Sequence, residues 1–136
     1  MSMLLGDELR RSAERWRDRE ALVFGARSWS FRQLNGDVNR LAHAFASLGV
    51  GPGDRIAVSL SNRPELLLSY FAAQKLGAVA VLLNYSLTAT ELGYIAENSA
   101  PKLWLCDGRT VEAVSAVLPA AGSVQHCIHC GQGLRP

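Results

Sequence analysis

The chain predicts an open layered α/β fold, with mostly parallel strands and helices on both faces, preceded by an N-terminal helix and a small β-hairpin. Three observations carry that expectation. From Arg55 onward, short apolar runs alternate with helical patterns in the order strand, helix, strand, helix, strand, helix, strand, the pattern of right-handed crossovers in a mostly parallel sheet. The run "AVAVLL", Ala78 to Leu83, is apolar at both alternating sets of positions, as expected of a strand covered by helices on both sides. The glycines Gly49, Gly51 and Gly53 follow a helical pattern and precede a strand, which is the reverse of a phosphate-cradling loop and the right place for a helix C-cap and a turn.

The elements follow in order. Leu5, Leu9, Ser12, Ala13 and Trp16 recur at helical spacing and define one amphipathic face. "EALVFGARSWS" predicts two short strands about a Gly25-Ala26 turn. Ser30 with Gln33 forms a capping box and opens a helix whose stripe is Phe31, Leu34, Val38, Leu41, Ala42, Phe45 and Leu48. His43 falls off that stripe and is expected on the surface. After the Pro52-Gly53 turn comes the strand Arg55 to Leu60, and Asn62, Pro64 and Glu65 are the start signals of the next helix, which stops at Gly77. Thr88 and Glu91 make a second capping box, with Leu92, Ile95 and Ala96 as the inner face of its helix. "KLWLC" is a further strand, "RTVEAVSAVL" a further helix and "SVQHCIH" the last strand. The polar elbow "NYSLT", Asn84 to Thr88, lies beyond the C-terminal end of a strand, where open α/β sheets gather functional loops.

Composition sets the function classes. The 136 residues are 49% hydrophobic and 19% charged, the profile of one globular domain. The 14 basic side chains are nearly balanced by 12 acidic ones, and the early arginines alternate with Glu8, Glu14, Asp18 and Glu20, a solvated helix face and not a nucleic-acid stripe. The stretch from Leu66 to Leu83 approaches bilayer-spanning length, but Gln74 and Lys75 would sit mid-membrane and Gly77 breaks the run. The start "MSMLLGDELRRS" is not a secretory signal, and three late cysteines are not a disulfide framework, so a reducing cytoplasm is expected. The sequon Asn84-Tyr85-Ser86 carries no meaning there.

Candidate chemistry is sparse. Cys127 and Cys130 in "HCIHC" have the gap of half a zinc knuckle, but a structural zinc takes four ligands. The residues therefore read as part of a strand, with a site shared between subunits as the alternative. Lys75 and Lys102 are the only lysines, and neither adjoins a glycine-rich loop. No catalytic, cofactor-binding or metal-binding residue is assigned.

"WSFRQL", "GVGPGDRIAVSL", "AAQKLGAVAVLLNYSLTATELGYIAENS", "PKLWLCD" and "SVQHCIHCG" together resemble the N-terminal part of an adenylate-forming, AMP-binding acyl-CoA synthetase, and nearly the whole chain is covered. The sequence departs from the family pattern at Leu82 and Tyr85, where prolines are usual, and at Cys127 to Cys130, which replace a β-branched run. The resemblance implies that residues 1–136 are one incomplete portion of the synthetase's large domain. It implies ATP-dependent activation of a carboxylate followed by transfer to CoA, with ATP, magnesium and CoA bound by the full-length enzyme and none by this chain alone. The family's phosphate loop, ribose-binding aspartate and catalytic lysine lie downstream of the matched stretch. The expectation is a chain inactive alone, whose partners are a second copy or the remaining synthetase domains. The alternatives are a non-catalytic binding or oligomerisation module, and a split enzyme whose phosphate loop comes from another subunit.

Overall fold

A computed structural model describes residues 4–131. The opening three residues of the supposed non-signal start and most of the closing "GQGLRP" lie outside the described residues. The order is α1 (Leu5–Arg15), β1 (Glu20–Phe24), β2 (Arg27–Ser30), α2 (Phe31–Ser47), β3 (Arg55–Ser59), α3 (Pro64–Lys75), β4 (Val79–Leu82), α4 (Ala89–Ser99), β5 (Leu103–Asp107), α5 (Val111–Val117) with a 3-10 turn at Leu118–Ala120, and β6 (His126–Cys130). β1 and β2 form an antiparallel hairpin, and β3 to β6 form an all-parallel sheet in the order β4-β3-β5-β6. No helix among the described residues is long and apolar enough to cross a membrane.

Alternation along the central strands splits the core in two. Ile56 and Val58 of β3, with Leu103 and Leu105 of β5, point to the side packed by α1, α2 and α3. Ala57, Trp104 and Cys106 point to the other side, under α4 and α5. Trp104 is fully buried, and its indole N–H donates to Ser59 Oγ at 2.8 Å, which meets the polar need a buried tryptophan brings with it. Both capping boxes form: Gln33 N–H donates to Ser30 Oγ at 3.1 Å and Glu91 N–H to Thr88 Oγ1 at 3.3 Å, each answered by the reciprocal bond. Gly49 and Gly77 adopt positive φ just past α2 and α3, as helix-terminating glycines do.

Four expectations are corrected. The strand read as covered on both faces, β4, is an edge strand with Val79 and Leu82 about half exposed; its apolarity reflects an uncovered edge and groove, not a central position. The helix read as buried, α3, buries the small residues Ser69, Ala72 and Ala73, while Leu66, Leu67 and Leu68 are only half-buried. The inner face of α1 is Gly6, Leu9 and Ala13, and Leu5 and Trp16 turn outward. A Cβ at Gly6 would stand 2.6 Å from Lys75 Cγ and 2.9 Å from its Cα, so the close crossing of α1 over α3 rotates the helix toward its glycine. Finally, the N-cap of α3 is Arg63 and not Asn62, which is exposed; Pro64 holds the first helical position as expected.

Candidate functional site

β3 is flanked by β4 on one side and β5 on the other, so the crossovers leave it in opposite directions and a switch point opens beyond the C-terminal ends of β3 and β5. Open α/β sheets bind ligands at such crevices. Three loops meet there: Leu60 to Arg63 after β3, the elbow Asn84 to Thr88 after β4, and Gly108 to Thr110 after β5.

Asp107, the last residue of β5, is the centre of this region and is fully buried. Its Oδ2 accepts from Ser61 N–H at 2.8 Å and from Ser61 Oγ at 2.6 Å, and its Oδ1 accepts from Arg109 N–H at 3.0 Å. Burial pushes this carboxyl upward, but the bonds from Ser61, Arg109 and Thr110 outweigh it and hold the pKa below the ordinary aspartate value. Thr110 Oγ1 donates to Ser59 C=O at 2.5 Å and accepts Asp107 N–H at 3.0 Å, which ties the start of α5 to the end of β3. Arg63 sits 3.8 Å from Asp107 Oδ2, pairs with Glu65 at 2.9 Å, and donates to the carbonyls of Cys130 at 3.2 Å and Gly131 at 2.7 Å. Its guanidinium thus joins α3 to the end of β6.

The elbow is held in two ways. Asn84 Oδ1 accepts from Ser86 N–H at 2.9 Å and Ser86 Oγ at 2.7 Å, closing an Asx turn. The Arg109 guanidinium lies 3.9 Å over the Tyr85 ring, an attraction of a cation to the ring's negative face.

The residues singled out from sequence do not converge here. Lys75 Nζ donates to Asn35 Oδ1 at 2.5 Å and Asn39 Oδ1 at 2.6 Å, pinning α3 to α2; burial, then Arg10, lowers its pKa. Lys102 Nζ donates to Gly49 C=O at 2.8 Å and to Asp54 at 3.2 Å. His43 is exposed, as its place off the stripe predicts. Cys127 and Cys130 face opposite sides of β6, since residues three apart on a strand alternate faces, and the half-knuckle is therefore broken by the fold. Among the described residues no three His, Cys, Asp or Glu side chains are gathered as a ligand set. Sequence reasoning missed Asp107, Ser61 and Arg63. The one available signal was an aspartate ending a buried strand with a threonine three residues on.

A second feature is apolar. Leu22 and Phe24 of the hairpin, Leu66, Leu67 and Tyr70 of α3, and Leu82 of β4 line a groove of about 440 Å³, with Asn62 and Arg63 at one end.

The model of the AMP-binding enzyme family matches residues 9–134. A 3-hydroxybenzoate–CoA ligase from Aromatoleum sp. (strain CIB) is 39% identical over 90 residues, which are 66% of this chain and 17% of that protein. A crotonobetaine/carnitine–CoA ligase from Salmonella paratyphi A is 37% identical over 112 residues, 76% of this chain and 22% of that protein. The inhibitor-bound N-terminal domain of FACL13 from Mycobacterium tuberculosis superposes with a TM-score of 0.91 at 28% identity, over 95% of this chain and 34% of that one. The chain spans about a fifth of the length of the curated relatives it matches.

Proposed function

The chain belongs to the AMP-binding enzyme family, and from that premise we propose that it is a supporting portion of a cytoplasmic acyl-CoA synthetase, inactive alone. In this reading the whole enzyme activates a carboxylic acid with ATP and passes the acyl group to CoA, and residues 1–136 supply framework for it. The curated relatives are CoA ligases for 3-hydroxybenzoate and for crotonobetaine or carnitine, and in this reading the substrate class is a carboxylic acid.

The observation that carries the proposal is the saturation of the switch-point crevice. Adenylation builds charge on phosphorus, and stabilising it takes preorganised donors aimed at the reacting oxygens. Here Ser61 and the backbone of Arg109 point at Asp107, Arg63 is spent on Glu65 and two main-chain carbonyls, and Arg109 lies over Tyr85. Both lysines are occupied in structural bonds as well. These groups hold loops in place and leave no converging set for a triphosphate. Incubation with ATP, magnesium and a panel of carboxylic acids is expected to release no pyrophosphate above a buffer blank; turnover proportional to the concentration of this chain would overturn the proposal.

A second reading, association through an apolar face, is favoured by one specific observation. Val79 and Leu82 on the β4 edge and Val23 and Phe24 on the hairpin are each about half exposed, and Leu82 and Phe24 line the groove. An unpaired strand edge beside exposed apolar side chains favours pairing with more chain. The occupants under this reading are a second copy or the remaining synthetase domains. Sedimentation is expected to give a dimer at high concentration, or a complex when the rest of a synthetase is added in trans; a monomer under both conditions contradicts it.

A further inference from the structure

The outer side of β4 presents backbone groups that no strand among the described residues meets. In a parallel pair the residues of a strand alternate, one directing both its N–H and its C=O at the neighbour and the next directing both away. Val79 N–H donates to Asp54 C=O at 2.7 Å and Leu83 N–H to Val58 C=O at 3.0 Å, and the register with β3 runs without a shift from Val79 to Leu82. Val79, Val81 and Leu83 therefore face β3, while Ala80 and Leu82 turn their N–H and C=O groups outward. Native sheets blunt such an edge with lysine, proline or a bulge. From Gly77 to Thr90 the sequence holds no charged residue and no proline. The opposite edge is treated differently: β6 exposes His126 and His129, and the carbonyls of Cys130 and Gly131 at its end accept from Arg63.

The outward groups of β4 complement themselves. When two copies lie antiparallel about a two-fold axis through Val81, Ala80 stands opposite the partner's Leu82 and Leu82 opposite the partner's Ala80. Each is a pair that exchanges both N–H···O=C bonds, so every outward group of Ala80 and Leu82 is used in both copies. Val81 meets the partner's Val81 as the closer pair without hydrogen bonds, and the exposed Val79 meets the partner's Leu83. The exposed Leu82 falls on the small Ala80, so both half-exposed side chains of the edge gain apolar neighbours. Moving the axis to Ala80 would call on the Ala78 N–H, which is already donated to Ala73 C=O at 3.0 Å. Moving it to Leu82 would call on Asn84, which lies beyond the strand. We propose that two copies of this chain join β4 to β4 in this register, making one continuous sheet of both four-stranded halves. A contact of this kind uses the same patch on each copy and closes at the dimer. The proposal names the partner and the pairing for the association reading above, and it rests on that reading.

The test follows backbone amide exchange in the purified chain by NMR, at two concentrations that sedimentation places on either side of the monomer–dimer transition. The Ala80 and Leu82 amides are expected to exchange rapidly in the monomer and about tenfold or more slowly in the dimer, whereas the Val79 and Val81 amides, bonded to β3, are protected in both. Leu82→Pro removes an outward N–H and no bond to β3, a position at which edge strands accept proline. It is expected to raise the dimer Kd by roughly 10–100-fold, the ordinary net worth of two hydrogen bonds, with protection of Val79 and Val81 retained as the sign of an intact fold. A dimer in which Ala80 and Leu82 exchange as they do in the monomer, or a folded Leu82→Pro chain that dimerises with unchanged affinity, overturns this pairing and leaves association by another surface standing. A monomer at every concentration overturns both. Slowing of the two amides that appears only when the downstream portion of a CoA ligase is added assigns the edge to that chain and likewise overturns the pairing.

Discussion

Between β3 and β5, the side chains of Asp107, Ser61 and Thr110 bond to one another or to the main chain of the neighbouring loops. Beside β4, Leu82, Phe24 and Tyr70 line an open apolar groove. The first region occupies the position where this class of sheet binds ligands, yet its donors and acceptors are consumed internally. The second has room but almost no polar chemistry. The contrast teaches that position in a fold does not make a site. A switch-point crevice binds a ligand only when some of its polar groups remain unspent, and here they are used to lock three loops and the end of β6 together.

The comparison breaks first at Asp107. Asp107→Ala leaves the Ser61 and Arg109 N–H groups unanswered and a half-buried Arg63 without its nearby carboxylate; removing one partner from such a buried set costs about 3–5 kcal/mol, measurable as a lower urea midpoint. If the crevice were instead a ligand site strained for function, the replacement would be neutral or stabilising. The same residue sets an acid dependence. Its folded-state pKa is depressed, so its contribution is present above the ordinary aspartate value of about 3.9 and is lost as the pH falls through the folded value. Denaturation of the chain and of Asp107→Asn at a series of pH values is expected to show a gap at neutrality that narrows below about pH 4.

Gly6→Ala probes the helix layer that supports the sealed region from behind. The added methyl would meet Lys75 Cγ at 2.6 Å and its Cα at 2.9 Å. The side-chain atom can yield and the backbone atom cannot, so overpacking of about 1–3 kcal/mol is expected, again by urea denaturation.

How much of this was legible beforehand follows from the distance over which each feature is encoded. The capping boxes at Ser30 and Thr88 are written within four residues, and the glycine stops at Gly49 and Gly77 are equally local. The alternation of strands and helices was plain for the same reason. Strand order is not written locally, and so β4 reads as a strand covered on both faces although its apolar residues serve an edge and a groove. The partners of Asp107 are 46 residues away at Ser61. Arg55 closes the C-terminus of α4 by donating to Ser99 C=O at 2.6 Å and Ala100 C=O at 3.0 Å, and nothing near Arg55 announces it. The requirement for glycine at position 6 is set by Lys75 of α3, a residue distant in the chain. The candidate site was therefore the least legible part, because the bonds that draw its loops together, Ser61 to Asp107, Thr110 to Ser59 C=O and Arg63 to the end of β6, join residues 46 to 68 positions apart.

The smallest stability effect belongs to the open region. Leu82→Lys places a charge on an exposed edge position, where substitutions usually change stability by no more than about 0.5 kcal/mol. Its effect is expected in sedimentation instead, as loss of association through the β4 edge; association that survives the lysine would move the contact surface elsewhere.

The central claim is that these residues frame nucleotide chemistry without gripping the nucleotide. Titration calorimetry of the purified chain with ATP and magnesium tests it most directly. The account predicts no saturable heat. Saturable, magnesium-dependent binding that disappears in Lys75→Ala or Lys102→Ala, with the fold retained, would contradict it.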